Sequence, residues 1–196
     1  MIRDEFQRKY WRYYLVLEKR FIATTDYLEL DPDNHKAFSN EFAALLQAIG
    51  AELDAIFKVY CDFSPEAHKN IRDYAKSILS SYPNIVNQKV AVAETNIVLT
   101  PFLGWTQEKA KQTLAWWEAF DAIKHNRAGN KKLASQINVL NALAALFLLE
   151  RKYLSNLAGE TGELEIDIPD ISSTLFWLPD WKSRYISSSN TICKIL

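Results

Sequence analysis

The residues with the clearest chemical potential stand together in the stretch Lys124-His125-Asn126-Arg127. A neutral imidazole can take a proton from a hydroxyl, because its usual pKa of about 6.5 lies close to neutrality. A guanidinium can hold phosphate oxygens through paired hydrogen bonds. Metal-free RNA cleavage needs both, so His125 and Arg127 are the candidate catalytic residues, with Lys124 as a second cation.

The same cluster also has the composition of a helix end. Lys, His and Arg are favoured in the last turn of a helix, where they meet the negative end of its dipole. Gly129 and Asn130 follow at once, and both residue types commonly end helices. Capping preferences therefore explain the cluster without any catalytic role.

A second mixture of cations and aromatic rings lies near the N-terminus, in residues 8–14 with Lys19 and Arg20 beyond. Bases can stack on aromatic rings while cations hold phosphate, so this run is a possible RNA-binding face. The alternative is that its aromatic residues belong to a core stripe and its cations form the solvated side. The candidate binding residues are Arg12, Trp117, Lys124 and Asn126.

Composition limits the function classes. The 196 residues predict one domain, 1–196, and the formal net charge of −1 excludes a global basic field. Cys61 and Cys193 form no metal-ligand spacing, and no phosphate-binding glycine loop or zinc-protease motif occurs. We therefore expect no metal site, no cofactor and a reduced, cytoplasmic protein. The mixed charge of residues 1–5 predicts no signal peptide, and the apolar run 139–149 is too short to cross a bilayer.

Helical periodicity predicts a mainly α fold, a bundle of about five helices. The first helix should carry a core stripe of Phe6, Tyr10, Tyr13, Leu17 and Phe21. The second should run from about Phe38 to Tyr60 and present a face of small residues on which another helix can pack closely. That face consists of Ala44, Ala48, Ala51 and Ala55, and Glu52 beside it could pair with Arg127 or another cation.

Capping signals place the later helices. Ser64-Pro65-Glu66 predicts a third helix from Pro65 to about Ser81. Thr106 is a plausible cap for a fourth helix that ends near Asn126. A fifth helix should run from Lys131 to about Leu157, and its apolar circumference predicts a place at the centre of the bundle.

Two segments break the helical pattern. β-Branched residues between about 84 and 104 predict an inserted β-hairpin. A C-terminal extension, about 159–196, begins with an alternation of acidic and apolar residues from Glu163 to Ile168, which is typical of a half-exposed strand. This strand could pair with the hairpin, and the rest of the extension reads as an irregular tail.

The order of these parts resembles the HEPN superfamily of α-helical bundles, which includes prokaryotic toxins and phage-defence ribonucleases. The resemblance covers roughly residues 38–157 and rests on three segments: 52–58, 117–127 and 140–146. It implies a helical homodimer with a composite cleft where the two subunits meet.

The chain departs from the nuclease members of that superfamily in one respect. Those members carry an Arg followed, after four to six residues, by a His, and none of His35, His68 and His125 is preceded in this way. His125 and Arg127 occur in the reverse order. We therefore expect a non-catalytic binding or assembly module that contacts RNA or a partner protein. The alternative is a metal-independent endoribonuclease that uses His125 and Arg127 at a dimer cleft.

Overall fold

Five helices dominate the part of the chain described by this computed structural model, namely residues 1–161, 169, 171–181, 186–188 and 191–193. They are α1 (3–24), α2 (Asn40–Tyr60), α3 (Ile71–Ser81), α4 (Ala115–Asn130) and α5 (Gln136–Thr161). The predicted mainly α fold with a small β accessory is therefore confirmed. None of the helices in this part of the chain has the length and apolar character needed to cross a membrane.

Helix α5 lies at the centre of the bundle, as its sequence predicts. Residues 142–150 are all buried, nine in succession, so the helix needs neighbours on every side. Helix α1 runs antiparallel to it, since Phe6 stacks on Tyr153 at 4.6 Å between ring centroids while Trp11 lies 6.0 Å from Phe147. Helix α2 runs parallel to it. The residues just before the two helices, Phe38 and Ser135, form a β-bridge, and further along both helices Tyr60 lies against Tyr153.

Helix α4 covers α2 and runs antiparallel to it. Near its beginning, the ring of Trp117 meets Phe57 edge-on with centroids 5.7 Å apart. One helical turn later, Phe120 lies directly on Gly50 of α2. A residue without a side chain at that point lets the two helices approach closely.

The first helix contains a π-helical turn that the sequence pattern did not reveal. Its segments are α-helical Arg3–Phe6, π-helical Gln7–Trp11 and α-helical Arg12–Thr24. A π turn holds more residues than an α turn, so it changes which later residues face the core. The prediction that Tyr13 belongs to the core stripe is wrong, because Tyr13 is 42% exposed while Tyr14 is fully buried.

Three predicted helix starts are also wrong. Helix α3 begins at Ile71 rather than Pro65, because Asn70 and Asp73 form a reciprocal capping box. Helix α4 begins at Ala115 rather than after Thr106, since the preceding turns bury Trp105 and Leu114 in the core. Lys131–Leu133 forms a separate 3₁₀ turn before α5 begins at Gln136.

The predicted hairpin within 84–104 is confirmed. Strands β1 (Val90–Val92) and β2 (Val98–Leu99) pair antiparallel, and β3 (Phe176–Trp177) adds to the other edge of β1. Two further strands, β4 (Ile186–Ser188) and β5 (Thr191–Cys193), form an antiparallel pair of their own. The strand predicted for 163–168 lies outside the described residues.

A buried carboxylate attaches β3 to the bundle. Glu18 of α1 is 3% exposed and accepts hydrogen bonds from the hydroxyls of Tyr14 and Ser173. Its other oxygen accepts from the backbone N–H of Thr174 at 2.9 Å. Buried charges need such partners, so Glu18 fixes where the chain enters the sheet.

We expect Gly50→Ala to destabilise the protein. An added Cβ would lie 2.2 Å from Cδ2 of Phe120, with two more ring atoms within 2.5 Å. Overpacking costs about 1–3 kcal/mol, whereas the gain in helix propensity is about 1 kcal/mol. Urea unfolding should show a net loss of up to about 2 kcal/mol in the free energy of unfolding.

The Phe120→Ala background, which lacks the Cγ and ring atoms that the added Cβ would meet, supplies the control. With the ring removed, Gly50→Ala should become neutral or stabilising, because only the propensity gain remains. An equal loss in both backgrounds would show that Phe120 is not the obstacle.

Candidate functional site

The cluster at 124–127 lies at the end of α4, and all four of its residues are exposed. The helix bends at Asn126, whose backbone leaves the helical region with φ −151° and ψ 81°. Two amide side chains compensate for the break. Asn126 Oδ1 accepts from the N–H of Gly129 at 3.0 Å, and Asn130 Nδ2 donates to the carbonyls of Ala122 and Asn126 at 3.2 and 3.0 Å. Asn126 is thus engaged in shaping the helix end.

His125 faces solvent beside a carboxylate of its own helix. The side chain is 72% exposed, and Nε2 lies 3.4 Å from Oδ1 of Asp121, one turn earlier. The other oxygen of Asp121 lies 2.5 Å from Nζ of Lys111. Partial burial opposes ionisation of Asp121, but the hydrogen bond and charge of Lys111, with smaller contributions from His125 and Lys124, lower its pKa. Asp121 therefore places a negative charge beside His125.

Arg127 and Lys124 make contacts that attach the cluster to the bundle. Arg127 Nη1 donates to Oδ1 of Asn40, the first residue of α2, at 3.3 Å. Lys124 Nζ lies 5.8 Å from the ring centroid of Phe120, within the range of a cation–π interaction. Neither contact neutralises a charge.

The structure separates the other two candidate binding residues from this cluster. Trp117 is 8% exposed and packs among core rings, so it offers no free face to a nucleic-acid base. Its aromatic character serves the packing of α4 on α2. Arg12 is exposed on α1 and lines a small surface cavity of about 210 Å³ with Asp4, Arg8 and Ile171. None of residues 117–127 lines that cavity.

Two further lysines join the cluster. Lys131 and Lys132 are exposed in the turn between α4 and α5. We call the five residues Lys124, His125, Arg127, Lys131 and Lys132 the basic end of the bundle. No Asp or Glu occurs between residues 122 and 135, so the local charge is positive although the chain as a whole carries −1.

The helix dipoles contribute little to this field. Helices α2 and α5 direct their positive N-termini toward the basic end, whereas α1 and α4 direct their negative C-termini there. The first N–H groups of α5 are also occupied, because those of Gln136 and Ile137 donate to the carbonyls of Ala37 and His35. The positive potential therefore comes from the side chains.

A second unusual group lies inside the bundle and was missed from the sequence. Glu150 of α5 is fully buried, and neither carboxyl oxygen has a hydrogen-bond partner among the described residues. Burial and the nearby charge of Glu52 raise its pKa well above the usual range. Both effects favour the protonated, neutral form of Glu150. Sequence reasoning missed Glu150 because Arg151 and Lys152 follow it, and three consecutive charged residues are typical of a solvent-exposed helix end.

Glu52 is half-buried on α2, and desolvation raises its pKa to about 7. The expected pairing with Arg127 is wrong, because Arg127 binds Asn40, and Glu52 lies twelve residues further along α2. At 1.5 Å per residue that separation is roughly 18 Å. None of the described ion pairs involves Glu52.

Comparison with known proteins finds no match: no family model, no curated protein and no solved structure is similar to this chain. The HEPN resemblance therefore stays a prediction.

We expect the protein to lose stability as pH rises from 5 to 8. Carboxyls in the unfolded chain ionise near pH 4.3, whereas Glu52 in the folded protein ionises only near pH 7 and Glu150 resists ionisation further. Above pH 4.3 the folded state binds more protons than the unfolded state, so the free energy of unfolding declines with pH until the folded pKa is passed. Thermal unfolding across this range should show a falling Tm.

The variant Glu150→Gln, which keeps a neutral polar group of similar size, should flatten this decline. Glu118→Gln, at an exposed position of α4, is the matched control and should leave it unchanged. A Tm that rises over the same range, or an unaltered slope in Glu150→Gln, would contradict the assignment.

Proposed function

We propose that this chain is a cytoplasmic, non-catalytic binding module that holds RNA phosphates on its basic end. The observation that supports it best is the exposure of Lys124, Arg127, Lys131 and Lys132 at the end of α4 and in the turn that follows it. Exposed cations on a fixed framework can contact phosphate oxygens without first breaking buried ion pairs.

The electrostatics favour local, sequence-independent contacts. The net charge of −1 gives no long-range attraction, so binding would depend on the few cations of the basic end. Lysine and arginine contacts to phosphate release counterions, which makes such binding sensitive to salt. Trp117 is buried and Asn126 is engaged at the bend, so neither supplies base recognition.

The surroundings of His125 argue against efficient catalysis in a single subunit. An imidazole that is 72% exposed lies in water, where the electrostatic stabilisation of a developing charge is weak. One observation favours the ribonuclease alternative, namely that Asp121 lies 3.4 Å from Nε2 of His125, close to where a carboxylate that orients a general base would lie. Catalysis would then need a second subunit to enclose the site.

We expect the chain to bind single-stranded RNA through the basic end. The measurement is fluorescence anisotropy of a labelled RNA in the presence of a chelator, over a series of salt concentrations. Replacing Lys124, Arg127, Lys131 and Lys132 by Gln should weaken binding at least tenfold at low salt. It should also reduce the slope of log K against log salt by about 0.7 for each lost phosphate contact.

A matched variant removes four exposed cations elsewhere: Arg72, Lys76, Lys89 and Lys109. It has the same net charge and should bind RNA nearly as well as the unaltered chain. Equal weakening in both variants, or no binding at low salt, would overturn the proposal.

The same RNAs should stay intact on denaturing gels. Cleavage that disappears in His125→Ala would overturn the non-catalytic assignment and support the ribonuclease.

We also propose that two copies associate through the alanine face of α2. Ala44 and Ala51 are exposed, and Ala48 and Ala55 are half-buried, so this helix presents small side chains to solvent. Small residues let a second helix approach closely, as the dimer implied by the HEPN resemblance would require.

Analytical ultracentrifugation should therefore show a concentration-dependent dimer. Ala51→Arg should shift the chain to monomer, because a long charged side chain would separate the two helices. The same substitution at exposed Ala115, at the start of α4, is the control and should leave the dimer intact. A monomer at every concentration tested would refute the dimer.

A further inference from the structure

A surface groove lies between the hairpin and the loop that follows α1, with a volume of about 1040 Å³. One wall is the hairpin segment 93–99, and the other is formed by residues 29–32 and 35 of the loop. Small-molecule pockets usually have volumes of about 300–1000 Å³. The volume of this groove lies at the upper end of that range, so the groove has room for an extended ligand.

The framework around the groove is firmly held. Thr174 and Leu175, which line it, are attached to α1 through Glu18, as described above. The N–H of Ala93 donates to the carbonyl of Leu175 at 2.8 Å. On the opposite wall, Gln136 Nε2 donates to the carbonyl of Glu29 at 3.0 Å. A groove held in this way can receive a ligand with little loss of conformational freedom.

The charges around the groove are of one sign. Glu29, Asp31 and Glu94 line it, and no Lys or Arg belongs to its lining. None of these three carboxylates forms an ion pair with another described residue. One oxygen of Asp31 accepts from the N–H of Asp33 at 2.8 Å, which leaves the second oxygen open. The groove therefore offers separated acceptors to a cationic ligand.

The rest of the lining is largely apolar. Leu30, Ile97, Ile137 and Leu175 line the groove between the carboxylates, and Val98 is 55% exposed there. His35 also lines the groove, and its Nε2 is buried with no hydrogen-bond partner among the described residues. A ligand in the groove would therefore meet apolar side chains as well as carboxylates.

We propose that this groove binds a peptide segment of a partner protein in which Lys or Arg residues alternate with apolar ones. The cationic side chains of such a peptide would pair with the carboxylates of the groove, and its apolar side chains would pack against the apolar lining. A flexible polyamine would satisfy the carboxylates but leave the apolar lining in contact with water. The groove is distinct from the basic end and does not depend on RNA binding.

The test is a titration of the full chain with labelled probe peptides at moderate salt. The first probe alternates Lys with Val and Ile over seven residues, and the second replaces each Lys by Glu. We expect the Lys probe to bind at least tenfold more tightly than both the Glu probe and spermidine. Equal affinity for the two peptides, equal or tighter binding of spermidine, or no binding of the Lys probe at millimolar concentration would overturn the proposal.

Two variants locate the site. The first variant removes the three carboxylates of the groove (Glu29→Gln, Asp31→Asn and Glu94→Gln) and should weaken binding of the Lys probe at least tenfold. Its control removes three exposed carboxylates elsewhere (Asp4→Asn, Glu108→Gln and Glu118→Gln) and should have little effect. The second variant, Val98→Lys, places a cation at an exposed lining position and should weaken the Lys probe similarly. Equal losses in the triple variant and its control, or unchanged binding in Val98→Lys, would place the peptide outside the groove.

Discussion

Burial of α5 on all sides is the constraint on which the rest of the structure depends. Nine consecutive residues of this helix are buried, so no single partner helix could cover them. Helices α1 and α2 pack against it in opposite directions, and α4 closes over α2 where Gly50 admits the ring of Phe120. The end of α4 and the turn that joins it to α5 are thereby held at one end of the bundle, and together they carry the cations of the basic end.

The two interpretations of the Lys124–Arg127 cluster turn out to be compatible. The amides of Asn126 and Asn130 shape a helix end, which is the structural role predicted from capping preferences. The charged side chains are left exposed by the same bend, and Arg127 reaches only a neutral amide. A helix end can therefore serve as a phosphate-binding surface. Enclosure of His125, which catalysis would need, is not provided by a single subunit.

Charge is distributed unevenly over a chain whose net charge is close to zero. The basic end has no neighbouring acidic residue in sequence except Asp121, whereas the groove beside the hairpin is lined by three carboxylates and no Lys or Arg. In the interior, burial without a hydrogen-bond partner among the described residues favours the neutral form of Glu150. Two charged surfaces of opposite sign fit a module with two different partners.

The sequence by itself determined the mainly α class, the hairpin and the central place of α5, because long apolar periodicity and β-branched runs are local signals. It also identified Lys124, His125 and Arg127, since their proximity is a property of the chain, whereas Lys131 and Lys132 were recognised as part of the basic end only from their exposure in the folded chain. Tertiary structure alone decided the burial of Tyr14 in place of Tyr13, because a π turn shifts the helical phase without a clear sequence signal. It likewise decided the start of α4 and the isolation of Glu150, since both depend on which surfaces the packed core covers. The acidic groove belongs to the same group, because its walls come from segments about 60 residues apart in the chain that only the folded bundle brings together.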